Sequence, residues 1–394
     1  MRIALLTQYY KPEMGAPQNR LYEMVTGLKS LGNEIIVITG MPNYPTGKIF
    51  SNYTGKFFCT ENTDGIKIKR YWLYASNSKK KISRIWNMLS FSITSLFSTV
   101  FLRKNKIDYL IVESPPLTLG ITAWLISKAT GVRLIANISD LWPLSARELG
   151  AISGESALYG ILEKVERFIY KKSVLCIGQS SEIVEYIREH GAKDVYLFRN
   201  GVDPKRFETI ERTKTDDKFT IVYAGLLGFA QGILDICKNV DFEALGVAFH
   251  IYGAGGEQKE IESYISENPD KGITYFGKVS REEIPAILKN ADATLVPLVK
   301  NIYGAVPSKI YESMAAGIPI LFSGEGEGRK IIQENNLGLV SSSGDYEKIK
   351  KNIKELVKDP VKVQFIKDNC MYCANEKFNR PKQISDLNKY LLSK

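Results

Sequence analysis

A lysine and a glutamate one helical turn apart are the residues of this sequence best suited to bind a phosphorylated ligand. They are Lys309 and Glu312, within the stretch Pro307-Ser308-Lys309-Ile310-Tyr311-Glu312. Proline is favoured at the first position of a helix, so the stretch predicts a helix with Pro307 at that position and Ser308 in the first turn. Lys309 then lies near the positive end of the helix, where an anion would stabilise it, and Glu312 projects to the same side.

This pair has two interpretations. A cation for a diphosphate, with a carboxylate for two ribose hydroxyls one turn away, fits a nucleotide sugar. The same spacing fits an ordinary ion pair between residues i and i+3 on a surface helix. Spacing alone does not separate the two.

A second candidate anion site follows the first apolar run of the chain, Ile3–Leu6. Gly15 and Ala16 precede a helix predicted to begin near Gln18, and small residues there let a phosphate approach free backbone N–H groups. Arg20 would lie in the first helical turn, well placed to meet an anion. The alternative is a plain loop before a capped helix.

Short apolar runs alternate with amphipathic segments along the whole chain. Runs that are apolar on both faces predict buried parallel strands, and the amphipathic segments predict helices. The predicted strands are Ile3–Leu6, Glu34–Thr39, Tyr109–Val112, Leu134–Asn137 and Val174–Gly178, then Phe219–Ala224, Ala248–Tyr252, Ile273–Tyr275, Thr294–Pro297 and Ile320–Phe322.

Because the alternation occurs twice, it predicts an α/β chain of two Rossmann-like, doubly wound parallel-sheet domains. The linker is expected near residues 200–217, where Gly201, Pro204 and a charged run interrupt the periodicity. We assign residues 1–200 to the first domain, 201–375 to the second, and 376–394 to a C-terminal helix that returns to the first. Ligands of such sheets bind outside the carboxyl ends of the strands.

The positive charge of the chain is confined to its first half. The net charge is +10 over 394 residues. Residues 1–200 contain 26 Lys and Arg against 16 Asp and Glu, whereas residues 201–394 contain 27 of each kind. This asymmetry favours an anionic partner for the first half, which could be an acidic membrane surface, a phosphorylated acceptor or nucleic acid. A generally basic proteome would also explain it.

The cysteines and the N-terminus favour a cytoplasmic location. Five scattered cysteines are typical of a reducing compartment, and the Cys370–Cys373 pair has no second pair or histidine cluster that would suggest a metal. The first apolar run turns polar after Leu6, so no signal peptide is predicted.

A weakly apolar segment, 85–102, carries no charge and is flanked by Lys79-Lys80-Lys81, Arg84 and Arg103-Lys104. Its eighteen residues approach the length of a membrane span, but its many Ser and Thr residues favour a helix that lies on an anionic bilayer. A helix buried against the sheet is the alternative.

With its surroundings, the Lys309–Glu312 stretch resembles the donor-site signature of glycosyltransferase family 4. It is closest to the subgroup of bacterial N-acetyl-fucosamine transferases of surface-polysaccharide assembly. The resemblance extends over nearly the whole chain. The motifs that carry it are Pro12-Glu13-x-Gly15-Ala16, Ser114-Pro115-Pro116, Asp140-x-Trp142-Pro143, Asn200-Gly201-Val202-Asp203, Tyr223-x-Gly225-x-x-Gly228-x-x-Gln231-Gly232, Gly253-x-Gly255, Phe276-Gly277, Ala291-Asp292 and Pro307-Ser308-Lys309-x-x-Glu312-x-Met314-Ala315-Ala316-Gly317-x-Pro319.

The resemblance implies a GT-B fold with two domains facing a central cleft, no metal or other cofactor, and transfer with retention of anomeric configuration. It implies a UDP-linked donor, a saccharide or undecaprenyl-diphosphate-linked acceptor at the inner face of the cell membrane, and a product in capsule or O-antigen synthesis, with no nucleic acid. The donor would be bound by Gly15, Arg20, Gly225, Gly228, Gln231, Gly255, Phe276, Val279, Ser308, Lys309 and Glu312.

Two carboxylates are candidates for general base, because each follows a predicted strand and should open toward the ligand. They are Glu113, where many family members have a histidine, and Asp140. In front-face attack the donor phosphate takes the acceptor proton, Lys309 stabilises the leaving diphosphate, and a nearby carboxylate can assist. A loop cap for Asp140 and a hydrogen-bonded structural carboxylate for Glu113 are the alternatives.

The sequence departs from the family pattern at three positions. Gly304 stands where a first glutamate is usual, eight residues before Glu312. Leu226 and Gln231 stand where arginine and lysine are frequent near the phosphate loop. We therefore expect Lys309 to carry an unusually large share of diphosphate binding.

Two other functions fit parts of the sequence. A GT-B epimerase or hydrolase would act on the same kind of donor without needing a basic, membrane-facing half. A Rossmann oxidoreductase is suggested by Gly253-Ala254-Gly255-Gly256, but no acidic residue ends the following strand at the required distance.

Overall fold

The structure, a computed structural model, describes residues 1–13, 15–78, 80–215 and 217–394. Lys79 of the predicted basic run, and the side chains of Ala16 and Lys81, lie outside the described part. The chain divides into two compact units. Unit 1 consists of Met1–Arg199 with Pro381–Lys394, and unit 2 of Asn200–Arg380.

Unit 1 is built on one sheet with helices on both faces. Among its described residues the strands are β1 (Arg2–Leu6), β2 (Glu34–Gly40), β3 (Phe58–Thr63), β4 (Ile66–Tyr71), β5 (Tyr109–Ser114), β6 (Arg133–Ile138), β7 (Leu175–Gly178) and β8 (Val195–Leu197). The helices are α1 (Ala16–Ser30), α2 (Lys81–Thr94), α3 (Ser98–Lys104), α4 (Leu117–Thr130), α5 (Leu144–Glu148), α6 (Ala157–Lys172) and α7 (Ser181–Glu189).

Unit 2 repeats this architecture with a smaller sheet. Its strands within the described ranges are β9 (Phe219–Ala224), β10 (Val247–Tyr252), β11 (Ile273–Gly277), β12 (Ala293–Pro297), β13 (Ile320–Ser323) and β14 (Gly338–Ser341). Its helices are α8 (Lys205–Glu208), α9 (Ile233–Asn239), α10 (Gln258–Glu267), α11 (Ile284–Lys289), α12 (Lys309–Ala316), α13 (Glu327–Glu334), α14 (Tyr346–Lys358) and α15 (Pro360–Glu376).

The strand orders are those of doubly wound sheets. Unit 2 has the order β11-β10-β9-β12-β13-β14, and all its neighbouring strands run parallel. Unit 1 has the order β3-β4-β2-β1-β5-β6-β7-β8, parallel except for β3 against β4. The order reverses between β9 and β12 in one sheet and between β1 and β5 in the other. The predicted pair of parallel-sheet α/β domains is confirmed.

Burial explains why these strands form. Every residue of β5, β7, β12 and β13 is buried, because helices cover both faces of the sheets. The β3–β4 hairpin, which we did not predict, lies at the edge of its sheet, and in β4 the buried Ile66 and Ile68 alternate with the exposed Lys67.

The last helix, α16 (Arg380–Leu392), packs into the core of unit 1. The change of unit falls at Arg380 and not at the predicted residue 376. Phe378 belongs to the core of unit 2, and Asn379 bridges to Val202 in the same unit, so the chain leaves unit 2 only after these contacts.

We expect Leu387→Ala in α16 to destabilise unit 1 by about 2–5 kcal/mol, because Leu387 is fully buried among the core residues of that unit. Leu392→Ala is the matched control, since Leu392 is 62% exposed on the same helix. Thermal unfolding of the full chain measures both. Equal melting temperatures for the two variants would show that α16 does not support unit 1.

Candidate functional site

The strand order of unit 2 identifies where its ligand should bind. In an open parallel sheet the order reverses between two neighbouring strands, and ligands bind at the carboxyl ends of those strands. In unit 2 these are β9 and β12. The loop after β9 contains Gly225 and Gln231, and the chain after β12 leads to Lys309.

Three loops interlock at this edge of the sheet through backbone hydrogen bonds. The Gly225 N–H donates to the Tyr252 carbonyl at 2.9 Å, and the Leu227 N–H to the Ala254 carbonyl at 3.0 Å. The Gly253 N–H donates to the carbonyl of Gly277 at 2.8 Å. A Cβ at Gly253 would overlap the Gly225 carbonyl oxygen, so the loops after β9 and β10 approach this closely only because Gly253 has no side chain.

The side chain of Lys309 lies over Gly225. A Cβ at Gly225 would overlap the Lys309 side chain at Cε and Nζ. The Lys309 ammonium is 5.1 Å from the centre of the Tyr223 ring, and the Tyr223 hydroxyl donates to the Leu226 carbonyl at 2.5 Å. Desolvation lowers the pKa of Lys309, and the charge of Glu312 opposes this effect. The cation predicted for a diphosphate therefore lies at the loop after β9.

The helix that carries Lys309 begins later than predicted. Lys309 is the first residue of α12 and Ser308 is its N-cap, so Pro307 lies before the helix and not at its first position. The carbonyls of Pro307 and Ser308 accept hydrogen bonds from the N–H groups of Ile310 and Tyr311, at 3.2 and 3.1 Å. Lys309 consequently lies even nearer the positive helix end than expected.

Glu312 has an ion-pair partner that the sequence analysis missed. Arg206 Nη1 lies 3.4 Å from Glu312 Oε1, and Arg206 Nη2 donates to the Arg281 carbonyl at 3.2 Å. In the part of the chain that the structure describes, Lys309 forms no ion pair with Glu312. The ordinary i,i+3 pair is thus not what holds these two residues in place.

The other predicted donor residues lie around this loop cluster. The Gln231 N–H donates to the Gly228 carbonyl at 2.9 Å, and its buried Oε1 has no hydrogen-bond partner among the described residues. Gly255 lies against the Leu227 backbone. Phe276 is 49% exposed and stacks on Tyr252, with 4.7 Å between ring centres. Two further predicted residues, Val279 in the loop after β11 and Ser308, are at least partly exposed.

Gly304 explains one departure from the family pattern. It is buried and has a φ of 82°, in the left-handed region where a side chain is strained. A glutamate at this position would be strained in the observed backbone.

In unit 1 the predicted residues Arg20 and Glu113 bind each other. Arg20 Nη2 lies 2.6 Å from Glu113 Oε1 and donates to Ser139 Oγ at 2.5 Å. The other Glu113 oxygen accepts from Asn137 Nδ2, and Ser139 Oγ also donates to Glu113. Arg20 and Glu113 are both buried.

These contacts correct two expectations. Arg20 is the fifth residue of α1. Its guanidinium already pairs with the carboxylate of Glu113, so it is not an unpaired cation available for a phosphate. Burial raises the pKa of Glu113 while Arg20 opposes the shift. A buried carboxylate with three partners matches the structural alternative for Glu113 better than a general base.

Asp140 differs from Glu113 in its exposure to solvent. It follows β6, its side chain is exposed, and desolvation nevertheless raises the pKa of its carboxyl group, with Arg20 opposing. Of the two predicted carboxylates, Asp140 is the one that a substrate hydroxyl could reach.

The loop that carries Gly15 is held by a buried carboxylate that we did not predict. Glu13 accepts hydrogen bonds from the N–H groups of Asn43 and Tyr44, both at 2.8 Å, and from Tyr10 at 3.2 Å. Burial raises the pKa of Glu13 to about 7. Gly15 is the N-cap of α1. Within the described ranges, no group of three His, Cys, Asp or Glu side chains could hold a metal ion.

Family models match both halves of the chain. Residues 15–201 match the model described as "Glycosyl transferase 4-like domain", and residues 205–372 match "Glycosyl transferases group 1". The chain is 25% identical over 336 residues to WcaI of Escherichia coli K12, whose name assigns it to glycosyl transfer in colanic acid biosynthesis. That alignment covers 80% of this chain and 82% of WcaI.

Solved structures share the fold over the full length. Sucrose-phosphate synthase from Thermosynechococcus elongatus aligns with a TM-score of 0.73 at 15% identity, covering 100% of this chain and 99% of that one. HepE from Anabaena, solved in complex with UDP, aligns with a TM-score of 0.73 at 14% identity and covers 100% of both chains. At such identities these structures establish the fold and not the substrate.

We expect Arg20→Met to destabilise unit 1 by about 3–5 kcal/mol, because it leaves the buried Glu113 without its charge partner. The double variant Arg20→Met/Glu113→Gln should recover most of this loss, since no unpaired charge remains. Chemical denaturation gives the free energy of unfolding of both variants and of Glu113→Gln, which together with the wild type form a double-mutant cycle. Unchanged stability in Arg20→Met would contradict the pairing and restore Arg20 as an open anion ligand.

Proposed function

We propose that this chain, which belongs to the glycosyltransferases with a 4-like domain followed by a group 1 domain, transfers a sugar from a UDP-linked donor with retention of anomeric configuration. The sugar we propose is an N-acetylated amino sugar such as N-acetyl-fucosamine. The acceptor we propose is a saccharide or lipid-linked saccharide, carried on undecaprenyl diphosphate, in capsule or O-antigen synthesis.

One observation carries the donor part of the proposal. The Lys309 side chain lies over Gly225 at the point where the strand order of unit 2 reverses, with Glu312 one turn further on. A partly desolvated ammonium group, at a helix N-terminus and beside a glycine loop, suits a diphosphate. The HepE structure, which has the same fold and contains UDP, supports a uridine nucleotide.

The choice of acceptor draws on the relative with a named process. WcaI is named for the biosynthesis of colanic acid, a polysaccharide, and its alignment extends over both units of this chain. A similar role here would need an acceptor hydroxyl near the donor. The positive charge of residues 1–200 favours an acceptor that carries a diphosphate.

The reaction would proceed on one face of the donor sugar. The bond between the anomeric carbon and the β-phosphate oxygen breaks, and the acceptor oxygen bonds to the same face of that carbon. The acceptor proton passes to the leaving diphosphate. Asp140, which is exposed in unit 1, is the candidate for a carboxylate that assists this step. Lys309 stabilises the charge that develops on the leaving group.

The donor site is tested by comparing UDP with uridine in two variants. Lys309→Ala should weaken UDP binding about 10- to 100-fold and leave uridine binding unchanged, because only the diphosphate needs the cation. Glu312→Ala should weaken both ligands, because both contain the ribose. Isothermal titration calorimetry measures the four affinities, with Lys354→Ala, an exposed lysine of α14, as the control. Equal loss of uridine and UDP in Lys309→Ala would contradict the assignment.

The binding of UDP should also depend on pH through Lys309. Because burial lowers the pKa of Lys309, its charge and the affinity for UDP should be lost, as pH rises, earlier than for an ordinary lysine, which titrates at about 10.4. Lys309→Arg keeps its charge and should give a flatter profile as the pH rises. Identical profiles would show that another group titrates.

Transfer itself is tested with UDP-linked N-acetylamino sugars and saccharide acceptors. The product should carry the same anomeric configuration as the donor, which NMR coupling constants report. An inverted product would contradict the retaining mechanism. Donor hydrolysis or isomerisation without any product in the presence of acceptor would favour the epimerase or hydrolase alternative.

A further inference from the structure

The helical segment 81–104 of unit 1 buries Phe91 and Leu102, but it also exposes large apolar side chains and buries polar ones. It consists of α2 and α3 joined by a single 3₁₀ turn, Ser95–Phe97. Six apolar residues are 47–71% exposed to solvent, whereas six polar residues are buried. The exposed residues are Ile82, Ile85, Trp86, Ile93, Phe97 and Val100, and the buried ones are Asn87, Ser90, Ser92, Thr94, Ser95 and Ser98.

Hydrogen bonds explain why these polar side chains of the helix are buried. Thr94 Oγ1 donates to the Trp72 carbonyl at 2.6 Å, and Asn87 Nδ2 donates to the Tyr74 carbonyl at 2.8 Å. Ser90 Oγ accepts from the Tyr74 N–H at 2.8 Å. The polar side of the helix therefore satisfies backbone groups of the chain beyond β4. Turning the helix about its axis would remove these hydrogen bonds from partly buried backbone groups.

Aromatic residues next to the β3–β4 hairpin continue the exposed surface. Phe57 is 53% exposed and stacks on Trp72, with 6.5 Å between ring centres and 14° between ring planes. Phe57 also meets the Phe97 ring edge-on at 6.1 Å. We call the combined surface the outer apolar face; it consists of Phe57, Trp72, Ile82, Ile85, Trp86, Ile93, Phe97 and Val100.

The charge around this face is uniformly positive. Residues 65–107 contain ten lysines and arginines and no aspartate or glutamate. Exposed cations on the face's own elements and loops are Lys56, Lys80, Arg84, Arg103 and Lys104. Apolar and aromatic side chains among cations complement a bilayer with anionic headgroups, which accepts both kinds of group at its surface.

Crossing the bilayer is a poorer fit than lying on it. The continuous helical segment Ile82–Lys104 has 23 residues, and its most apolar 18-residue window has a mean hydropathy of 1.4, which is enough to span; 44% of that window is buried. Spanning would remove Thr94, Asn87 and Ser90 from their hydrogen bonds and place them in hydrocarbon, where unpaired polar groups are costly.

We propose that the outer apolar face docks this chain on the surface of an anionic lipid bilayer, with α2 and α3 lying along the interface. The proposal does not depend on the transferase activity. Docking on the bilayer would nevertheless bring unit 1 close to a lipid-linked acceptor.

Co-sedimentation of the full chain with lipid vesicles tests the proposal. The wild type should bind vesicles that contain phosphatidylglycerol about 10-fold or more tightly than vesicles of phosphatidylcholine alone. Trp86→Ser/Phe97→Ser should reduce this binding about 10-fold or more. The matched control is Val361→Ser/Phe365→Ser, which removes two apolar residues of α15 that are 79% and 55% exposed in unit 2 and should not alter binding.

Three outcomes would overturn the proposal. They are no binding of the wild type to anionic vesicles, equal losses in the two double variants, and a dimer in light scattering that Trp86→Ser/Phe97→Ser dissociates, since the face would then be covered by a second copy. Thermal unfolding measured in parallel confirms that unit 1 of the variants folds. UDP affinity separates this test from that of the proposed function, because loss of vesicle binding should leave the donor site of unit 2 intact.

Discussion

The proposed donor site of unit 2 depends on two positions having no side chain. Lys309 occupies the space that a Cβ at Gly225 would take, and the Gly225 carbonyl occupies the space that a Cβ at Gly253 would take. The loops after β9 and β10 and the first residue of α12 can therefore meet at one point. This crowding desolvates the Lys309 ammonium and lowers its pKa, so an anion is the ligand that would stabilise it most.

In unit 1 the buried charged groups already have partners within the unit, whereas the Lys309 ammonium of unit 2 forms no ion pair among the described residues. The Arg20–Glu113 pair and the three N–H groups around Glu13 fix the loops at the carboxyl ends of β1 and β5, where the strand order reverses. These contacts shape the edge of the sheet and leave Asp140 as the exposed carboxylate. The positive charge of this unit is instead displayed around the outer apolar face.

The fold could be predicted from the sequence because most strands are buried on both faces. Continuous apolar runs such as those of β5 and β12 identify such strands, and their alternation with helices predicts the doubly wound architecture. The β3–β4 hairpin lacked that signal, since β3 has no buried residue and β4 begins with alternating buried and exposed residues. Its Asp64-Gly65 turn, with positive φ at both residues, was the sequence feature that could have revealed it.

The candidate site was only partly predictable. Local spacing indicated that Lys309 and Glu312 share one side of a helix, but Arg206 is 106 positions away from Glu312, and no local pattern predicts that contact. Arg20 was taken for an open cation because its partner Glu113 lies in β5, 93 positions away along the chain. Hydropathy identified segment 85–102 as unusual but could not indicate which side faces solvent, because the backbone groups beyond β4 decide that.

The central claim is that the Lys309 ammonium over Gly225 binds the donor diphosphate, and a crystal structure of the UDP complex tests it most directly. The account predicts a β-phosphate oxygen within about 3 Å of Lys309 Nζ and a ribose hydroxyl at the Glu312 carboxylate. A diphosphate bound away from the loop after β9, with Lys309 still over Gly225 and in contact with no phosphate oxygen, would contradict it.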